Sequence, residues 1–252
     1  ENKDSEPMYY ENLPFRFDTR GIIYNKRGHV YKVNLGTNKF NKIVDGDKNQ
    51  IISIGSLVES DKGIVFSYEK YNSKGTMLEE KVGSLETKKI KEIHSRGSMG
   101  NLFYYEGDLH AVGLKNRFDW PTNTSILKIS SDGKVSFRHR TFDRNVVKAE
   151  VNNSVLYFLY EDSGKTLLRD GTNNIDLIDA EITVKDFAFN NDKTYVIANS
   201  FSKPDEVYEL NNGQLEKTSK ANEFFNKKVK TWDCEYRRID TGKSKIDTWG
   251  IF

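Results

Sequence analysis

Short apolar runs separated by turn residues extend along almost the whole chain. The runs are rich in Val, Ile, Tyr, Phe and Leu, and they are bounded by Gly, Asn and Asp, which is typical of β-strands joined by tight turns. Asp-Gly and Asn-Gly pairs, as at Asp45, Asp132 and Asn212, favour hairpins because these residues adopt positive φ at low cost. Only residues 221–228 have a pattern that allows one or two helical turns. The pattern therefore predicts an all-β chain.

One hairpin pattern recurs along the sequence at a near-constant step. Its equivalent positions lie 47, 49, 41 and 40 residues apart, at Tyr31, Leu78, Leu127, Leu168 and Tyr208. A repeat of about 40–50 residues that holds four short strands is typical of a β-propeller blade. We therefore expect a β-propeller with about five four-stranded blades visible. A large two-sheet sandwich is the alternative architecture.

The strand pairs in front of these hairpins complete the predicted blades. Residues 102–105 and 155–160 are apolar on both faces, as expected of strands sandwiched between neighbouring blades. The predicted inner strands lie near residues 50–54, 101–105, 146–151 and 184–189.

Composition excludes several classes of protein. The 252 residues are 36% hydrophobic and 12% aromatic, and 39 basic side chains against 37 acidic ones give a net charge of +2. This balance argues against a nucleic-acid partner, and no apolar run reaches the roughly 18 residues of a membrane span. The single cysteine, Cys234, excludes an internal disulfide. We therefore expect a cytoplasmic protein that binds neither nucleic acid nor membrane.

Each catalytic or ligand-binding motif that the sequence suggests fails a spacing test. No Gly-x-Ser-x-Gly occurs, and residues 164–166 and 242–244 end like phosphate-binding loops but lack the earlier glycine, so we interpret them as hairpin turns. Residues 45–49 begin like a calcium loop, but Gln50 and Ser56 occupy the positions that require Gly and Glu, which favours a solvated turn.

The remaining reactive side chains are scattered along the chain. The histidines, which have no zinc-ligand spacing, are His29, His94, His110 and His139. We interpret His29 and His110 as structural, and Cys234 as a half-buried inert thiol. The sequence thus predicts no catalytic, cofactor-binding or metal-binding residue and no cofactor. It leaves any substrate-binding residues unknown.

Segments at both ends of the chain carry a resemblance to a known family. LPFRFD at 13–18 and GHVYKVNL at 28–35 resemble the entry to a mid-propeller blade of the acylaminoacyl peptidases, a branch of the prolyl oligopeptidase family of serine peptidases. ANSFSKPDEVYEL at 198–210 is similar to its last blade, and residues 232–252 resemble the hairpin that opens its α/β-hydrolase domain. Thr19 and the turn at 240–242 depart from the family pattern.

The resemblance implies two segments, residues 1–222 as propeller blades and residues 223–252 as a linker and first hairpin leading to an absent catalytic domain. It implies a propeller that caps and gates the active site of a serine hydrolase. That hydrolase domain of the same parent chain and short acylated peptides would be its partners. The parent would release N-acylated amino acids, while its catalytic residues would lie beyond Phe252. The alternative is a stand-alone propeller that serves as a protein-binding platform.

The resemblance also raises the question of how the propeller closes. The chain begins with Glu1 and stops on an apolar strand that ends in Phe252, so we interpret the sequence as truncated at both ends. Propellers of this family usually have seven blades. The visible units then form either an arc, which would dimerise, or a closed five-bladed ring. We prefer closure to a monomer, with residues 8–17 completing a late blade and contacting residues 207–215.

Overall fold

A computed structural model describes residues 9–251, apart from 14–15, 18–20, 24–25, 62, 87–88, 96, 117–121, 139–141 and 179–180. The chain divides into two compact units, Glu1–His139 and Arg140–Phe252. Both units consist of antiparallel strands, and the described residues contain only two helices, of four and six residues. The predicted all-β class is confirmed.

The first unit contains two hairpins, one short helix and two four-stranded sheets. The hairpins are β1 (Arg16–Phe17) with β2 (Gly21–Ile22) and β3 (Val30–Asn34) with β4 (Lys39–Val44), followed by helix α1 (Gly46–Asn49). The first sheet holds β5 (Ser53–Ser60), β6 (Gly63–Tyr71), β7 (Leu78–Glu86) and β8 (Lys89–His94). The second holds β9 (Ser98–Tyr105), β10 (Asp108–Leu114), β11 (Ser125–Ile129) and β12 (Val135–Phe137). In each sheet the strands lie side by side in chain order.

The second unit repeats this arrangement. One sheet holds β13 (Asn145–Asn152), β14 (Val155–Asp162), β15 (Lys165–Asp170) and β16 (Ile175–Asp176). The next holds β17 (Thr183–Asn190), β18 (Lys193–Ser200), β19 (Lys203–Asn211) and β20 (Gln214–Lys217), again in chain order. Helix α2 (Glu223–Lys228) follows, and then the hairpin of β21 (Cys234–Asp240) and β22 (Lys245–Ile251).

Within each unit, consecutive sheets bury one face against the other. In the first unit, Val65 and Val82 of one sheet share an apolar cluster with Leu102 and Leu127 of the next. In the second unit, Leu159 and Leu168 pack in the same way with Phe187 and other residues of the following sheet. Consecutive four-stranded meanders packed face to face are the blades of a β-propeller, which confirms the predicted fold class.

The anchor residues of the sequence repeat occupy equivalent places in the sheets. Leu78, Leu127, Leu168 and Tyr208 each lie in the third strand of a four-stranded sheet. Tyr31 lies in the two-stranded β3–β4 hairpin. Among the described residues, the five predicted units are therefore four complete four-stranded sheets and one pair of strands.

Many of the hairpin turns are two residues long. Residues 106–107, 153–154, 163–164 and 212–213 each have positive φ at both positions. Two consecutive positive φ angles are the signature of the type I′ turn, whose twist matches that of the strands it joins. The Asn212-Gly213 hairpin is confirmed. At these four turns, two residues connect consecutive strands of the same sheet.

Three of the four predicted inner strands coincide with β9, β13 and β17, but the strand predicted at 50–54 is misplaced. Gln50 has a φ of +56° and ends helix α1, and the Ile51 amide donates to the Gly46 carbonyl at 2.9 Å. Ile51 is buried against Val44 and Phe66, Ile52 is buried against Leu78, and the strand begins only at Ser53. The hairpin predicted at Asp45-Gly46 is also wrong, because Asp45 caps the helix instead.

The predicted closure falls partly outside the described residues, since Met8 and residues 14–15 are among those left out. Of the described part, strand β1 pairs with β2, and the Leu13 amide donates to the Gly75 carbonyl at 2.7 Å. Closure into a ring and the monomeric state remain predictions. No helix among the described residues is long and apolar enough to cross a membrane, and a cytoplasmic location remains a prediction.

We expect Leu168→Ala to lower the free energy of unfolding by about 2–5 kcal/mol, because Leu168 is fully buried between two sheets and its loss leaves a cavity. Ile175→Ala, in β16 of the same sheet, is the matched control, because Ile175 is 58% exposed. The control should change stability by less than about 0.5 kcal/mol in urea unfolding. Equal effects at both positions would contradict burial of Leu168 between the sheets.

Candidate functional site

The two segments that end like phosphate-binding loops are hairpin turns, as predicted. Gly164 lies between β14 and β15, and Gly242 lies between β21 and β22. Their φ angles are +73° and +78°, which explains why each position is glycine. In the second turn, the Thr241 hydroxyl donates to the Ser244 carbonyl at 2.9 Å. The Gly-Lys-Thr and Gly-Lys-Ser sequences therefore serve strand reversal.

The calcium-loop-like segment contributes to a cluster of His29, Asp45 and Asp47, whose ligand-type atoms lie within 4.8 Å of one another. Hydrogen bonds already occupy part of this cluster. The Gly46 amide donates to His29 Nδ1 at 3.0 Å, and the Asp47 amide donates to Asp45 Oδ1 at 3.1 Å. A neutral His29 with Nδ1 accepting carries its proton on Nε2, so neither ring nitrogen offers a lone pair to a cation. The cluster caps α1, so the solvated turn predicted here is in fact a capped helical turn.

The other described histidines are built into the first unit. His110 is fully buried in β10, where it stacks on Phe103 and meets Tyr105 edge-on. Burial lowers the pKa of His110, so the ring stays neutral at neutral pH. His110 Nδ1 lies 3.1 Å from the Asp108 carbonyl, while Nε2 has no hydrogen-bond partner among the described residues. His110 is structural as predicted, and His139 lies outside the described residues.

The second unit contains a cleft of about 630 Å³ beside its C-terminal hairpin. Two turns, each joining the second and third strand of a sheet, form one side of it through Gly164 and through Phe201 and Ser202. The start of β17 and residues 233–236 of the hairpin complete the lining, together with Trp249. The cleft therefore lies where the hairpin meets one end of both sheets.

Close contacts hold the hairpin against the β14–β15 turn. A Cβ atom at Gly164 would lie 2.5 Å from Cζ2 of Trp249, so the indole rests directly on the glycine backbone. The Tyr236 ring lies 5.6 Å from the Trp249 ring, and the Lys165 ammonium lies 5.9 Å from the Tyr236 centroid. Lys165 also forms an ion pair with Glu181 at 2.5 Å. Aromatic and cationic side chains thus fasten the hairpin at this point.

Polar contacts within the hairpin orient its aromatic face. The Tyr236 hydroxyl donates to Asp247 Oδ1 at 2.6 Å, and Arg238 Nε donates to the same oxygen at 3.0 Å. The hydrogen bond to Asp247 raises the pKa of Tyr236, since it stabilises the protonated phenol. Cys234 is half-buried as predicted, at the start of β21.

No described residue after Glu206 is buried. Eight of the 21 exposed large apolar side chains of the described residues lie between 224 and 251. They are Phe224, Phe225, Val229, Trp232, Ile239, Ile246, Trp249 and Ile251. Ile239 and Ile246 pair directly across the two strands, on the face of the hairpin opposite Tyr236 and Trp249. The hairpin therefore has apolar side chains on both faces and no core of its own.

Glu206 fastens the segment that leads to this hairpin. It is 3% exposed in β19, and its carboxylate accepts hydrogen bonds from the Ser219 hydroxyl and from the Asn222 amide at 3.1 Å. The Lys217 ammonium lies 2.8 Å away. The hydrogen bond from Lys217, which has the larger effect, and that from Ser219 lower the pKa of Glu206 to about 2. This role was not predicted from the sequence, since one Glu in a polar run gives no signal.

The lining of this cleft offers no evident catalytic pair among the described residues. Its described lining contains no histidine that could serve Cys234 as a base, and its one strong ion pair, between Lys165 and Glu181, is already satisfied. The prediction that this chain holds no catalytic, cofactor-binding or metal-binding residue remains a prediction.

The fold is that of a β-propeller, and its C-terminal hairpin has exposed apolar side chains. Among solved structures, the chain is similar to Pyrococcus horikoshii acylaminoacyl peptidase, with a TM-score of 0.77 and 15% identity over 99% of this chain. An acylaminoacyl peptidase in complex with Z-Gly-Gly-Phe-chloromethyl ketone gives a TM-score of 0.75 at 15% identity, also over 99% of this chain. Porphyromonas gingivalis dipeptidyl peptidase 4 gives 0.51 at 14% identity over 89% of this chain and 35% of its own.

The chain spans 40% of the length of each of these two acylaminoacyl peptidase structures. No protein-family model and no curated protein sequence matches it. At this identity the similarity shows a shared fold, which confirms the structural side of the resemblance seen at both ends of the sequence.

We expect Gly164→Ala to loosen the hairpin, because the new methyl group would collide with Trp249 and the positive φ would add strain. Gly242→Ala is the matched control, since φ is also positive there but no atom lies within 4 Å of the position that the added methyl group would take. In a background with Trp120→Phe and Trp232→Phe, which leaves Trp249 as the only tryptophan, iodide should quench the fluorescence more strongly in Gly164→Ala only. Equal quenching in both variants would show that the indole does not rest on Gly164.

The contacts of Glu206 predict that the stability of the folded chain depends on pH. Because the folded pKa of Glu206 is lowered from 4.5 to about 2, its stabilising effect is complete above pH 4.5 and is lost as the pH falls towards 2. Glu206→Gln should therefore lower Tm at pH 7, and the difference from the wild type should shrink below about pH 3. Trypsin should cut the variant faster at Lys217 and Lys220. Glu216→Gln, at an exposed position in β20, should change neither.

Proposed function

We propose that this chain is the propeller of a serine hydrolase similar to the acylaminoacyl peptidases. In this proposal it packs on an α/β-hydrolase domain of the same parent chain, caps the active site and limits access to short acylated peptides. The parent would release N-acylated amino acids, and the chain itself would contribute no catalytic residue and need no cofactor.

One observation carries the proposal: the described residues from Glu223 onwards form a short helix and a hairpin with no buried side chain and eight exposed apolar ones. A two-stranded hairpin is marginally stable alone, and exposed apolar surface of this kind marks an interaction site. A hydrolase domain seated on the outer face of the hairpin would cover Ile239 and Ile246. The similarity of fold to acylaminoacyl peptidases supports a catalytic domain as that partner.

The hairpin also gives the proposed domain a defined position. Trp249 on Gly164 and Tyr236 beside Lys165 fix its inner face against the turns of the second unit. A domain seated on the outer face would therefore lie over the same end of these two sheets. In this proposal the propeller would then restrict access to the active site of that domain.

The first test is chemical. The purified 252-residue chain should remain unlabelled by a fluorophosphonate probe and should not hydrolyse N-acetylalanine p-nitroanilide. A longer protein, expressed from a reading frame that continues beyond the codon for Phe252, should be labelled by the probe and should hydrolyse the substrate. Its labelled serine should lie in a Gly-x-Ser-x-Gly sequence. Stoichiometric labelling of the short chain, or a longer protein without such a serine, would contradict the proposal.

A second experiment tests, in that longer protein, whether the hairpin contacts the catalytic domain and whether the propeller limits access to the active site. Ile239→Ser with Ile246→Ser should leave the unfolding of the isolated chain nearly unchanged, since both side chains are about half exposed. In the longer protein the same pair should reduce hydrolysis at least about tenfold, while Ile175→Ser should not. Acetylated peptides of increasing length should react progressively more slowly. A stand-alone binding platform predicts no effect of the hairpin variant on any hydrolysis.

A further inference from the structure

The segment between the last four-stranded sheet and the C-terminal hairpin has a charge unlike that of the rest of the chain. Residues 217–232, called the basic segment below, contain five lysines and one acidic residue, Glu223, whereas the whole chain has a net charge of +2. The rest of the chain is therefore slightly acidic. The basic segment consists of the end of β20, the following loop, helix α2 and the residues that lead to β21.

Three of these five lysines are exposed and have no partner of opposite charge. The Lys217 ammonium lies 2.8 Å from the Glu206 carboxylate, and the Lys227 ammonium lies 2.8 Å from that of Glu223. No carboxylate of the described residues lies within 4.0 Å of the remaining ones, which are Lys220, Lys228 and Lys230. These three free lysines are therefore available to an anionic partner.

Helix α2 has one face towards the preceding loop and another towards solvent. Glu223 and Lys227 lie one turn apart, and together with residues 217–220 they line a cleft of about 390 Å³. Phe224 and Lys228 also lie one turn apart, on a different face of the helix. An aromatic ring and a free lysine are thus neighbours on the face that lies away from the loop.

Further apolar side chains are exposed along the basic segment. Phe224 is 75% exposed and Trp232 is 69% exposed, and Phe225 and Val229 are exposed as well. None of these four residues lines the cleft at 217–220 or the cleft beside the hairpin. The aromatic side chains therefore do not belong to a preformed groove at either place, and they alternate along the chain with the free lysines.

An anionic membrane surface is the partner that this combination fits. A protein partner would need a surface complementary in shape to Phe224 and Trp232, whereas a bilayer adapts to the side chains that enter it. Aromatic rings enter the boundary between headgroups and acyl chains, while a long lysine side chain keeps its ammonium group among the headgroups. Each lysine close to an anionic surface strengthens binding about fivefold.

We propose that the basic segment attaches this protein to the surface of anionic membranes, with Phe224 and Trp232 in the interfacial region and the three free lysines against lipid phosphates. The expectation of no membrane partner rested on the absence of a spanning apolar run, which attachment to a surface does not require. The proposed attachment is independent of the peptidase function, because it does not use the outer face of the hairpin at Ile239 and Ile246.

The test is co-sedimentation of the 252-residue chain with vesicles of phosphatidylcholine and phosphatidylserine in a ratio of about two to one. At low salt the chain should sediment with these vesicles, and it should remain in solution with vesicles of phosphatidylcholine alone. Binding should weaken as salt is added, because salt screens the attraction between lysines and phosphates. Failure to bind the anionic vesicles would overturn the proposal and support the expectation of no membrane partner.

A first pair of variants tests the charge. Lys228→Gln with Lys230→Gln should weaken binding to the anionic vesicles about 25-fold, since each lysine contributes about fivefold. Lys243→Gln with Lys245→Gln makes the same change of charge at exposed positions of the hairpin and should weaken binding less than about threefold. Equal losses in the two double variants would show that only the net charge of the chain matters, and would contradict a role for the basic segment.

A second pair tests insertion of the aromatic side chains. Phe224→Ser leaves the charge unchanged and should weaken binding at least about tenfold, whereas Phe40→Ser, at a position that is 69% exposed in β4, should not. Ile239→Ser with Ile246→Ser should bind as the wild type does, so this test and that of the peptidase function can fail separately. Circular dichroism checks that each variant is folded.

Two results would identify a different partner. Unchanged binding by Phe224→Ser and by Trp232→Ser would show adsorption by charge alone and would overturn insertion. Binding of polyglutamate at low salt, together with no binding to the anionic vesicles, would identify an acidic protein surface as the partner and would also overturn the proposal.

Discussion

The face-to-face burial of consecutive four-stranded sheets is the interaction on which the rest of this structure depends. A four-stranded meander satisfies the main-chain hydrogen bonds of its inner strands, but its two faces are apolar and need neighbours. Leu127 and Leu168, each in a third strand, are fully buried because a following or preceding sheet covers them. Strands with apolar residues on both faces can exist in water only within such a stack. Every other feature is placed by this stacking, since it fixes which strand ends and which edges remain exposed.

What stacking leaves uncovered is where binding becomes possible. The sheets bury their faces but not their outer edges, so β8 and β12 border a cleft with free main-chain groups. The C-terminal hairpin is the converse case, because its main chain is paired but both faces lack a sheet of sufficient size to cover them. Both exposed features thus follow from the same constraint. Strand β12 has an edge to which no further strand of the described sheet is paired, and the C-terminal hairpin has two strands but no buried core.

Repetition made the blades predictable from sequence, because the same turn and the same apolar alternation recur at a near-constant step. The errors fall where one residue pattern fits two structures. Asp45-Gly46 suits a hairpin, but Asp is also a good helix N-cap, and the local context selected the cap. Strand β5, which is rich in serine, has a weaker apolar pattern than Ile51 and Ile52, so the predicted strand lies too early in the sequence. The cleft beside the C-terminal hairpin could not be predicted, because Gly164 and Trp249 come together only through the packing of strands that lie far apart in sequence.

The two-residue turns have a consequence for how such a chain can change. In a type I′ hairpin an added residue does not lengthen a loop; it shifts the pairing by one position and exchanges the two faces of a strand. Residues that now lie between sheets would then meet water. Insertions and deletions are therefore tolerable only in the longer connections, such as those between β10 and β11 or between β12 and β13. The variety of this lineage should be concentrated in those few segments, while its hairpins keep a constant length.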